Sequence, residues 1–282
     1  MSRAYLCVSI EVESDKARGA RTRHPMSFEG ITDGVVARLH PLFERFAAKP
    51  TYLLSAEVLR DEACIAAFQK AAPSCELGTL SPAARARDAE GGDERSTLTE
   101  LTDLFIRAFG HQPQSFRACH AGLRDGSLRR LAALGYSVDA SVAPRVDPFH
   151  DAPSQPYRPD PESPGTQGDS PLLEVPITTR RRFLREVQWL CPSRVASSST
   201  LVRIANDELS SARRASPARP VILHATLAIV DVVPWASPRG ANEEETRRVL
   251  DGVRALLAFA RSGAIDVIGL GDVPVVLADV LR

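Results

Sequence analysis

Residues 49–82, KPTYLLSAEVLRDEACIAAFQKAAPSCELGTLSP, decide the fold class. The run 51–55 is short, apolar and rich in Tyr and Leu, as a buried strand requires. Residues 56–70 follow with helical spacing, and 75–77 form a second short apolar run. Strand, helix and strand in so few residues make a parallel βαβ unit, because parallel neighbours need a crossover between them.

The same alternation continues on both sides. Upstream, 5–10 reads as a first strand, and 31–47 as a helix with Val35, Val36, Leu39, Leu42, Phe43 and Phe46 on one face. Downstream, helices are expected at 98–109, 126–134, 199–213, 243–261 and from Asp272. Strands are expected around 115–118, 136–140, 172–177, 220–225 and 264–270. Repeated βα units predict a parallel sheet or barrel. Two segments interrupt the rhythm. Residues 81–96 are polar and contain Gly91-Gly92, and 144–171 hold eight prolines and read as a long irregular excursion. Loops of that length in a compact domain are functional insertions or disordered. No repeat and no composition shift divides the chain, so 1–282 reads as one domain.

Composition excludes several functions. The chain has 282 residues, with 35 Lys+Arg against 35 Asp+Glu. A net charge of zero argues against general polyanion or nucleic-acid binding, and the short cluster Arg180, Arg181, Arg182 reads as a solvated face. No apolar run approaches the ~20 residues that span a bilayer. The start, MSRAYLCVSIEVESD, ends in acids and reads as a strand rather than a signal peptide. The five cysteines are scattered and form no CxxC, so neither a disulfide framework nor a structural zinc site is expected, and the default compartment is the cytoplasm.

Seven strand ends, taken in order, resemble the polysaccharide deacetylase (NodB-homology) family, most closely its cytoplasmic branch in surface-polysaccharide biosynthesis. They are VSIEVESD, KPTYLLSAEVL, CELGTLSP, SFRACHAG, LAALGYSVDASVAP, LLEVPITT and VILHATLAIVDVVPWASP. The resemblance implies a distorted (β/α) barrel of about seven parallel strands with chemistry at their carboxyl ends. It also implies removal of an acetyl group from an N-acetylated sugar, a hydrolysis of a non-peptide C–N bond. Family members use a divalent metal held by one aspartate and two histidines, with a second aspartate as base toward water.

Carried over residue by residue, Glu11 stands at the catalytic-base position, and Glu13 or Asp15 could supply the carboxylate metal ligand. Solvated acids at a strand end are the plain alternative for these three residues. Arg117 matches the arginine that orients the catalytic carboxylate. Asp139 matches an aspartate beside it, and His224 the late-strand histidine that assists as acid. A hydrogen-bonded rim histidine is the plain alternative for His224. His120 and Trp235 are candidate substrate contacts, with Cys119-His120 departing from the family pattern. A Cys119–His120 nucleophile is disfavoured because adjacent strand residues point to opposite faces.

The metal-binding histidine pair is missing. Where the branch has His-x-His-Pro, this chain has Thr79-Leu80-Ser81-Pro82, which aligns with one residue deleted. Neutral hydroxyls are poor substitutes for imidazole, so no cofactor is expected, although a zinc-like cation held atypically stays open. Of the other histidines, His40 is expected to be partly exposed in the first helix, His111 to lie at a helix end, and His24 and His150 in polar loops. The expectations are a carbohydrate substrate or ligand and no nucleic-acid partner. Three functional readings stand: a divergent carbohydrate amide hydrolase, an inactive relative that binds a sugar or a biosynthetic partner, and a barrel that performs another reaction on nucleotide- or lipid-linked sugars.

Overall fold

The computed structural model describes residues 2–15, 27–81, 94–118, 123, 126–182, 186–234 and 242–280. Its main sheet contains β1 (Ala4–Val12), β2 (Thr51–Leu54), β3 (Glu76–Ser81), β4 (Ser115–Ala118), β5 (Val138–Asp139), β8 (Leu173–Glu174) and β11 (Val221–Ala228). These run parallel in the order β11-β1-β2-β3-β4-β5-β8, and β12 (Asp266–Ile268) also pairs with β1. One edge of β1 meets β11 along its length. The other edge is shared, with β12 against Tyr5–Cys7 and β2 against Ser9–Val12.

The sheet curls until β8 and β11 approach. They are joined by the irregular segment after β8 rather than by a ladder. Thr178 N–H donates to the His224 carbonyl at 2.9 Å, and His224 N–H donates to Thr178 Oγ1 at 2.9 Å. The result is a (β/α) barrel with a seam.

Alternation along the strands divides the apolar residues into two cores. Leu6, Val8, Ile10 and Val12 of β1 pack outward, with Leu223, Ala225 and Leu227 of β11, against the helices. Tyr5, Cys7, Leu53, Leu80, Val138, Leu173 and Ile222 fill the lumen together with Leu270, Val273 and Leu277. The outer layer includes α2 (Glu62–Ala71), α3 (Glu94–Phe109), α4 (Ser127–Ala133), α5 (Ser198–Ala215) and α6 (Glu243–Ser262). No helix among the described residues is long and apolar enough to cross a membrane.

Three expectations are corrected. The first helix is wound as a π-helix over Gly30–Leu39 and becomes an α-helix only at α1, His40–Arg45. Pro41, which has no N–H to give, sits at this change of winding. His40 is buried rather than exposed, with Nδ1 3.1 Å from Tyr52 Oη and Nε2 3.0 Å from Ser74 Oγ. The proline-rich excursion is ordered. It contains a hairpin of β6 (Pro159–Asp160) and β7 (Ser163–Gln167), and Tyr157 exchanges two backbone hydrogen bonds with Glu174 at the edge of β8. That edge is therefore paired and not left as an open template.

Candidate active site

Side chains on the inner face change character along the barrel axis. On β1 the inward residues run Tyr5, Cys7, Ser9, Glu11, from apolar to charged, because every second residue faces the lumen. At the same level, β4 presents Arg117, and β11 presents His224 and Thr226. Asp139 of β5 and Glu174 of β8 lie in register with Phe116 and so occupy the opposite face of the sheet, between lumen-facing Val138, Ala140, Leu173 and Val175. All these polar residues except Glu11 are buried, with at most 5% of their surface exposed. The lumen is packed with apolar side chains at its lower end and polar at the end where the strands finish.

Arg117 organises the first group. Its Nε lies 3.1 Å from Glu11 Oε1, and its Nη1 donates to Thr226 Oγ1 at 2.8 Å and to Ser9 Oγ at 3.3 Å. The Nε–Glu11 contact is an ion pair and not an aligned hydrogen bond. Ser9 Oγ in turn lies 2.8 Å from His224 Nε2, and His224 Nδ1 lies 2.9 Å from the Val175 carbonyl.

The carbonyl can only accept, so Nδ1 carries the proton. Nε2 is then the acceptor, and Ser9 donates its hydroxyl hydrogen to it. Burial, reinforced by the Arg117 charge, pushes the His224 pKa down to about 3. His224 is therefore a neutral strut beneath the arginine. The proton-donor role implied by the family resemblance does not suit a fully buried ring with both nitrogens engaged.

Asp139 and Glu174 form a second group. They are register neighbours on β5 and β8, and both are completely buried. Asp139 Oδ1 accepts from Ser141 Oγ at 2.5 Å, and Glu174 Oε1 accepts from the Val142 N–H at 3.0 Å. The remaining oxygens, Asp139 Oδ2 and Glu174 Oε2, are shielded from solvent with no other partner. Burial raises the pKa of both carboxyls, and for Glu174 the neighbouring Asp139 raises it further. Two carboxylates cannot both ionise at such a site, so Glu174 keeps a proton and shares it with Asp139. Sequence reasoning did not single out Glu174. The available signal was an acid inside the apolar run LLEVPI, where only a paired acid is stable.

The described residues do not suit the cation that the resemblance implies. Thr79 faces away from the lumen, and its Oγ1 lies 2.9 Å from Tyr136 Oη, which also contacts Thr102. The inward position on this strand belongs to Leu80, fully buried in the lumen core. Asp15 is occupied locally, accepting from Ser27 Oγ at 2.8 Å and from the Gly30 N–H, and so ties the loop to the start of the π-helix. Glu13 is half-buried and has a partner of its own. Among the described residues no group of three His, Cys, Asp or Glu side chains could hold a metal ion. His24, Cys119, His120 and Trp235 lie outside the described residues.

No family model matches the sequence, and no curated protein matches it significantly. Solved structures do resemble it in three dimensions. A probable polysaccharide deacetylase from Pseudomonas aeruginosa PAO1 superposes with a TM-score of 0.64 at 13% identity, covering 99% of this chain and 92% of that one. Puue allantoinase gives 0.65 at 12% identity, over 99% and 91%. A GH57-type branching enzyme from the hyperthermophilic archaeon Pyrococcus horikoshii gives 0.59 at 10% identity, over 99% and 70%. The fold is the deacetylase-type (β/α) barrel. At these identities the likeness extends to the scaffold and not to a reaction.

Proposed function

We propose that this chain is a divergent carbohydrate amide hydrolase that removes the acetyl group of an acetamido sugar, in cytoplasmic surface-polysaccharide biosynthesis. The observation that carries the reading is the Arg117–Glu11 ion pair at the carboxyl end of the barrel, where enzymes of this architecture keep their chemistry. Glu11 is the member of the network that reaches solvent, with 20% of its side chain exposed against 5% for Arg117. It is the base that takes a proton from water as the water attacks the amide carbon. Arg117 is a positioning residue, locked by Ser9, Thr226 and the neutral His224. Asp139 with Glu174 adds a buried negative charge that favours the arginine's position. His120 and Trp235 contact the sugar. No step is assigned to a metal, because the described donors do not suit one.

A second reading is an inactive deacetylase-fold protein that binds a sugar or a biosynthetic partner. The placement of Leu80, where a lumen-facing ligand would be needed, favours it. The test is acetate release from N-acetylglucosamine oligomers by the purified protein, alongside calorimetric binding of the same oligomers. Acetate release supports hydrolysis. Saturable binding without acetate release selects the second reading, and neither result overturns both.

A further inference from the structure

Outside the lumen, the hairpin of β9 (Thr179–Arg181) and β10 (Val187–Trp189) faces the start of α5 across a cavity of about 660 Å³. Its walls include Arg182, Glu186, Gln188, Trp189, Arg194 and Arg203. Three guanidinium groups therefore face one carboxylate. Glu186 stands 3.6 Å from Arg182, whereas Arg194 and Arg203 have no carboxylate partner among the described residues. The positive end of an 18-residue helix opens beside them, and its first turn contains no acid to offset the dipole. Like charges gathered around a concavity repel one another, and an entering anion relieves that repulsion.

The cavity also has the geometry of a recognition site. The Arg194 guanidinium lies 4.3 Å from the centre of the Trp189 ring. Contact with the ring holds the guanidinium at the cavity wall, and the planar fork of a guanidinium suits phosphate oxygens. Gln188 and Thr200 also line the cavity and offer amide and hydroxyl groups to a ligand's hydroxyls. Guanidinium groups beside neutral hydrogen-bonding side chains suit a ligand carrying both a phosphate and hydroxyl groups.

We propose that this cavity binds a phosphorylated sugar, as a site separate from the Glu11 lumen. The chain contains two tryptophans, so Trp235→Phe leaves Trp189 as a single reporter. In that background glucose 1-phosphate, inorganic phosphate and glucose are titrated at constant ionic strength, with calorimetry in parallel. The sugar phosphate is expected to give a saturable change in Trp189 emission and a binding heat, phosphate alone a weaker one, and glucose none. Arg203→Gln, an exposed position, is expected to weaken sugar-phosphate binding about tenfold or more. Inorganic phosphate binding as tightly as the sugar phosphate would overturn the sugar part. Absence of a saturable response to either anion by both methods, or retention of full affinity in Arg203→Gln, would overturn the site. None of these outcomes depends on acetate release.

Discussion

Arg117 and Glu11 meet inside the barrel at 3.1 Å, although their strands β4 and β1 are separated in the sheet by β2 and β3. The contact spans the lumen, and only a strongly curled sheet brings the two together. It is also the point where the buried network reaches solvent.

Removing the arginine should therefore be costly. Arg117→Ala leaves Glu11 without its cation and Ser9 and Thr226 without their donor, and a loss of about 3–5 kcal/mol is expected. Arg117→Lys keeps the charge but not the three-way reach, so it should recover part of the stability and little of the activity. Urea denaturation of the two variants checks the order.

His224 predicts acid lability. Its folded pKa of about 3 lies below the ordinary 6.5, so the unfolded state binds the extra proton. This contribution is fully present above pH 6.5 and is lost as pH falls toward 3, at about 1.4 kcal/mol per pKa unit. Stability measured from pH 7 to 4 should fall in wild type, and the slope should flatten in His224→Gln.

Glu174 predicts the opposite slope. Its folded pKa is raised, so the folded state retains a proton that the unfolded chain releases. The contribution is complete below about pH 4.3 and declines as pH rises toward the folded value. Glu174→Gln keeps a donor for Asp139 without the titration. It should fold with equal or greater stability at pH 8, whereas Glu174→Ala should lose about 2–4 kcal/mol by leaving a cavity and an unpaired acid. Thermal unfolding at pH 6 and pH 8 separates the variants.

Thr79 is assigned to the outer layer and not to a metal. Thr79→Val removes one hydrogen bond to Tyr136, which keeps Thr102 as its other partner, and should cost about 1 kcal/mol. Divalent metal content by elemental analysis should be unchanged. A drop in bound metal would place Thr79 in a site that these distances do not show.

The parallel architecture was legible because apolar runs and helical spacing report directly which face of each element is buried. Strand 115–118 was expected with the bounds observed, and β3 runs further than 75–77, to Ser81. Other features depend on contacts distant in sequence. His40 has the spacing of a half-exposed helix residue, but Tyr52 and Ser74 supply partners that make its burial affordable. The direction of Thr79 follows from the phase of β3, which soft strand boundaries cannot fix. Glu174 was hidden for a related reason, since its partner Asp139 sits on another strand. Of the four residues the resemblance implies, Glu11, Arg117 and His224 meet at one end of the lumen, whereas Asp139 lies on the opposite face of its strand, in register with Phe116.

The most direct measurement is acetate release from an N-acetylglucosamine oligomer by wild type and by Glu11→Gln, with circular dichroism confirming equal folding. Loss of the base should lower kcat/KM by about 10²–10⁴-fold, with substrate binding largely retained. A Glu11→Gln protein that releases acetate as fast as wild type would contradict the assignment of the lumen carboxylate as the reacting base.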